Sequence, residues 1–210
     1  MSADTYLVEQ FEDEDQQHEA AQLGMWVFLG TEIMLFSGIF ASILIYRVTY
    51  WQALQTATEH LHVPLGSINT ALLLTSSLTM GFAVLAAREG RSSSTFWWMI
   101  LTALLGLAFL GVKGYEYFEE YHEGLMPAFG PEFPLDFPTA HLFFNMYYVG
   151  TGLHAFHLSC GVVAVLLFAF GVRTRRLVLP ARQMMIEGLG MYWGLVDMIW
   201  VILFSSLYLI

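Results

Sequence analysis

Polar breaks divide this chain into five long apolar runs: residues 23–46, 67–87, 95–118, 142–170 and 187–210. Each matches or exceeds the ~20 residues that a helix needs to cross the hydrocarbon core of a bilayer. Backbone N–H and C=O groups find no water there, so the spans are expected to be helical and the fold class all-α, a polytopic membrane bundle of five transmembrane helices. Residues 1–22 are expected to be an acidic tail and residues 23–210 one membrane domain. The longest break, residues 122–138, holds four of the six prolines and is expected to be an ordered or extended loop.

Composition agrees with this pattern. Of 210 residues, 57% are hydrophobic and only 12% charged, outside the usual balance of a soluble domain. Residues 1–22 carry seven acids and neither Lys nor Arg, the opposite of a secretory leader, so the first run is expected to be retained as a span. Charge distribution sets an expected orientation. With the N-terminus inside, six basic residues (Arg88, Arg91, Arg173, Arg175, Arg176, Arg182) fall in cytoplasmic loops and only Arg47 and Lys113 fall outside. The expectation is N-in, C-out. A net charge of −10 points away from nucleic acid.

Ionisable residues inside the spans narrow the chemistry, because a charge near the bilayer centre costs ~2.5–3.5 kcal/mol or more. They are Glu32, His154, His157 and Asp197, with Glu116 near the end of its span. Counting from the ends of the runs places Glu32 and Asp197 in one layer, roughly 14 Å deep, as a proton-holding pair or as inert acids. The same count places His154 and His157 deeper by a turn or more. At three residues apart they share a helix face, which leaves metal ligation, proton carriage and packing open. A haem needs a facing axial ligand from another helix, and no other span has a histidine. Packing or lipid contact is the favoured role. Gly190 and Gly194 form a small-xxx-small pair for close helix approach, with Asp197 on the same side. Tyr46, Tyr50, Trp51, Trp97 and Trp98 are expected to anchor the interfaces. Acids from Glu116 to Glu123, with Glu132 and Asp136, suggest a solvated acidic face that could steer a basic donor. Sequence signals for a phosphate loop, a redox CxxC or an HExxH helix are missing.

The motifs of all five spans resemble subunit III of the haem–copper oxidases. They are GMWVFLGTEIMLFSGIF with Glu32; PLGSINTALLLTSSLTM with Asn69; LGLAFLGVKGYEY with Glu116; TGLHAFHLSCG with His154 and His157; and YWGLVDMIWVILFSSLY with Asp197 and Trp200. The resemblance implies an accessory subunit of a cytochrome c oxidase that reduces oxygen with proton pumping. It implies no redox centre on this chain, haem and copper in partner subunits I and II, bound phospholipid, cytochrome c as a donor to the complex, and a bacterial inner membrane. Many members have seven helices, and this chain matches the last five. Gly194 stands where the family commonly has His, a place that closer helix packing is expected to fill. The alternatives are a subunit-III-like component of a nitric oxide reductase system and an independent proton-coupled transporter built on Glu32 and Asp197. The transporter reading is disfavoured because no span is interrupted and no symmetric half repeats.

Overall fold

A computed structural model describes residues 14–51, 58, 61–125, 138–180 and 183–208 of the chain. Its helices in chain order are α1 (Glu14–Thr49), α2 (Val63–Arg88), α3 (Ser92–His122), α4 (Pro138–Arg173) and α5 (Gln183–Leu207). All five are long and apolar enough to span a membrane. Each begins several residues before its apolar run, since polar flanks continue a helix as readily as lipid-facing residues do. Most of the acidic tail, the proline-rich loop after Leu125, Arg182, Glu132 and Asp136 lie outside the described residues.

Two turns are set by glycine. Gly90 follows α2 with φ 70° and Gly124 follows α3 with φ 75°, a region that L side chains rarely enter. After α2, Gly90 N–H donates to the Ala87 carbonyl at 3.0 Å and Arg91 N–H to Ala86 at 2.9 Å. After α3, Gly124 donates to Tyr121 at 3.2 Å and Leu125 to Glu120 at 3.0 Å. Both are Schellman ends, and the second buries Leu125 and holds the last turn of α3 in place.

Four helices form the close-packed body. α2 lies against α3, α3 against α4, and α5 seals both α2 and α4; α1 leans on α4 and α5 from outside. The core runs through Phe109, Trp193, Trp200, Leu203 and Phe204, while α1 leaves Leu23, Trp26, Met34, Ile45 and Val48 exposed. That ring of outward apolar side chains is what a lipid solvent requires. Polar residues stitch the interior. Thr79 and Thr102 hydroxyls meet at 2.8 Å across α2 and α3, Trp193 donates to Ser76 at 3.0 Å, and Trp200 donates to Thr70 at 3.1 Å. Trp97 is exposed at the start of α3, as an interface anchor should be, but Tyr46 is buried against Phe143 and Tyr50 and serves the core instead.

Candidate functional site

Glu32 of α1 reaches His157 of α4. Nε2 and Oε2 are 2.8 Å apart, with both side chains about six-sevenths buried (14% and 15% exposed). The contact is close, but Oε2 takes part in no hydrogen bond of good geometry. The other ring nitrogen, Nδ1, lies 2.8 Å from the Leu153 carbonyl. A carbonyl only accepts, so Nδ1 carries hydrogen. Phe36 closes over the ring edge-on at 5.3 Å, and the Tyr192 hydroxyl donates to the His157 carbonyl at 2.9 Å.

This pairing corrects the expected layering. Glu32 and His157 stand at one level, since their side chains meet at 2.8 Å, near the middle of two helices of 36 residues each. The carboxyl partner expected for Glu32 is also different. No hydrogen bond or ion pair among the described residues joins it to Asp197, which is buried on the α2 side beside Ser77 with neither oxygen hydrogen-bonded.

The two histidines diverge. His154 is fully buried, its ring 5.6 Å from Phe109 and 5.2 Å from Trp200, and neither nitrogen has a hydrogen-bond partner. Three residues along the helix leave the two side chains about 60° apart around the axis and nearly one turn apart in height; His154 meets α3 and α5 while His157 meets α1. Among the described residues no three His, Cys, Asp or Glu side chains converge as a metal-binding group. Trp200 is wholly buried and joins α5 to Thr70. Asn69, one residue before, is wholly buried with neither end of its amide satisfied.

Two of the four described acids of the expected acidic face are interior. Glu116 and Glu120 are both 0% exposed, and Lys113, read from sequence as an outer charge, is 2% exposed beside them. Lys113 Nζ donates to Glu116 at 3.0 Å, Tyr147 at 2.8 Å and Tyr208 at 2.7 Å. These acids face protein because 113, 116 and 120 follow the i, i+3, i+7 spacing of one helical face, and that face meets α4 and α5. Sequence reasoning missed this cluster, although that spacing was visible. Glu119 points outward instead, accepting from Tyr115 at 2.5 Å and pairing with His62 at 3.7 Å.

The small-residue pair also divides. A side-chain carbon on Gly190 would meet Val84 Cγ2 at 2.9 Å, whereas one on Gly194 would meet nothing within 4 Å. Gly190 therefore carries the close approach of α5 to α2. The expected filling of the Gly194 site by tighter packing does not occur, because that face of α5 points to open space.

Five spanning helices, a buried Glu32–His157 contact and a packed interior define a membrane-embedded helix-bundle subunit. A family model described as cytochrome c oxidase subunit III matches residues 13–210. The chain belongs to that family, subunit III of the haem–copper oxidases. Among similar proteins are the "Probable quinol oxidase subunit 3" of Staphylococcus haemolyticus (strain JCSC1435), 32% identical over 100% of this chain and 97% of the relative. The protein of the same description from Staphylococcus aureus (strain USA300) is 31% identical over the same shares. These bacterial relatives and the five spans make this a multi-pass bacterial membrane protein, a non-catalytic subunit of a terminal oxidase complex.

Proposed function

We propose that this chain is the accessory subunit III of an oxidase that takes its electrons from a membrane quinol, packing against catalytic subunit I and supporting its stability and proton uptake. The observation that carries the donor is the name shared by relatives aligned along the whole chain. Cytochrome c as donor is the second reading, favoured by the description of the family model. The loss of an exposed cluster at Glu116 and Glu120 removes part of the acidic surface that reading needs. Orientation is taken as N-in, C-out, with the Arg-rich end of the bundle in the cytoplasm.

The outer face of α1 has room for a neighbour or for phospholipid where longer members of the family have two more helices. An open apolar groove of about 360 Å³ between α1, α4 and α5, lined by Met25, Phe28, Phe168 and Leu189, suits an acyl chain. The experiment is to tag the chain, purify its complex in mild detergent, identify the co-purifying subunits, and record the reduced-minus-oxidised spectrum and oxygen uptake with each donor. Haem brought by a large partner and turnover with quinol alone support the proposal. Turnover with cytochrome c selects the second reading, and a chain that purifies without partners rejects both.

A further inference from the structure

We propose that Glu120 is a proton-binding site of this chain: a neutral carboxylic acid within the Lys113–Glu116–Tyr147–Tyr208 cluster, in which Glu116 alone is the counter-ion of Lys113. The argument is independent of which electron donor the complex uses.

The cluster holds one ammonium and two carboxyl groups, each at most 2% exposed. With both acids ionised it would carry an uncompensated negative charge inside the bundle, and low dielectric penalises that heavily. One bound proton makes it neutral. Hydrogen-bond donors then decide which carboxyl holds it. Glu116 is supplied as an anion: Lys113 donates to Oε2 at 3.0 Å and Tyr208 donates to Oε1 at 2.7 Å. Tyr147 has a single hydroxyl proton. It lies 2.6 Å from Glu120 Oε1 and 3.2 Å from Glu116 Oε1, so it serves Glu120.

Glu120 has no ammonium donor, only neutral phenols: Tyr147 on Oε1, with Tyr148 close by. Glu120 Oε2 is buried with no partner, and the Tyr148 hydroxyl beside it is equally unpartnered. An acid proton on Oε2 turns one of those orphaned atoms into a donor, for which the Tyr148 oxygen is an acceptor after a small rotation. The groups facing Glu120 are Lys113, Glu116 and Tyr117 from α3 and Tyr147 and Tyr148 from α4, with Tyr208 after α5. Lys113 is the only cation named among them. It is saturated by Glu116 and two tyrosines.

Infrared spectroscopy of the assembled complex tests this directly, because a protonated carboxyl has a C=O stretch separate from carboxylate bands. Glu120→Gln is expected to remove one acid band, of single-carboxyl size and shifted by exchange into heavy water. Tyr208→Phe, which takes a donor from Glu116 and keeps both acids, should leave that band in place. Tyr147→Phe, which keeps Glu120, should move it to higher frequency as the accepted hydrogen bond is lost; this variant decides the matter where Glu120→Gln does not assemble. An acid band that survives Glu120→Gln, shifts in Tyr208→Phe, or is unmoved by Tyr147→Phe overturns the assignment.

Discussion

The carboxyl of Glu32 and the imidazole of His157 meet at 2.8 Å between α1 and α4, in a bundle where α1 otherwise offers lipid-facing side chains. This contact joins the peripheral helix to the body by a polar interaction. Glu32→Gln preserves it in part, since the amide keeps a polar group of the same shape beside Nε2. Glu32→Ala leaves Nε2 without a partner, a loss of about 1–3 kcal/mol. Thermal release of the subunit from the purified complex should therefore be earlier for Glu32→Ala than for Glu32→Gln. Haem absorbance of the complex should be unchanged in both.

Lys113 and Glu116 are a buried pair, and removing one partner strands the other. Lys113→Met is expected to cost about 3–5 kcal/mol. The double variant Lys113→Met/Glu116→Gln should recover much of it, since no charge then remains to be compensated. The check is a cycle of denaturation midpoints for the two single variants and the double. Simple additivity would show that the 3.0 Å contact carries no coupling.

The contrast between these two sites shows what the sequence could reveal. Apolar run length located all five spans, because lipid imposes the same demand along every crossing. It located Glu32, His157 and Asp197 as costly groups but misjudged their neighbours. Height was counted from run ends, whereas α1 begins at Glu14 and α4 ends at Arg173, well beyond the apolar stretches. Lys113 was misread for a related reason: near a span end a lysine usually reaches water, and only the packing of Tyr147 and Tyr208 around it keeps it inside. Pairing between helices is a long-range property, and one chain's periodicity gives the face of a residue without the identity of what faces it.

Asp197 is a buried carboxyl whose two oxygens have no hydrogen bonds. Asp197→Asn changes little in shape and leaves no charge, so stability is expected to stay within about 1 kcal/mol and the haem spectrum unchanged. A larger loss confined to the assembled complex, with the separated chain unaffected, would mean that a partner subunit supplies the missing donor to this carboxyl. Comparing heat denaturation of the chain alone and in the complex distinguishes the two.

Gly190 and Gly194 lie one turn apart on α5 yet should respond oppositely to alanine. At Gly190 the new carbon meets the Cγ2 of Val84 at 2.9 Å. Val84 cannot easily swing away, because a β-branched side chain on a helix is held to one rotamer. The helices must part or the valine must strain, at about 1–3 kcal/mol. At Gly194 the new carbon meets nothing within 4 Å, so no packing is lost. Alanine there also lowers the conformational freedom of the unfolded helix, a gain of about 0.5–1 kcal/mol where glycine is replaced mid-helix. Gly190→Ala should thus lower the midpoint of thermal unfolding and Gly194→Ala hold or raise it. A loss at Gly194 in the complex alone would place a partner subunit against this face of α5, since the chain itself leaves that space open.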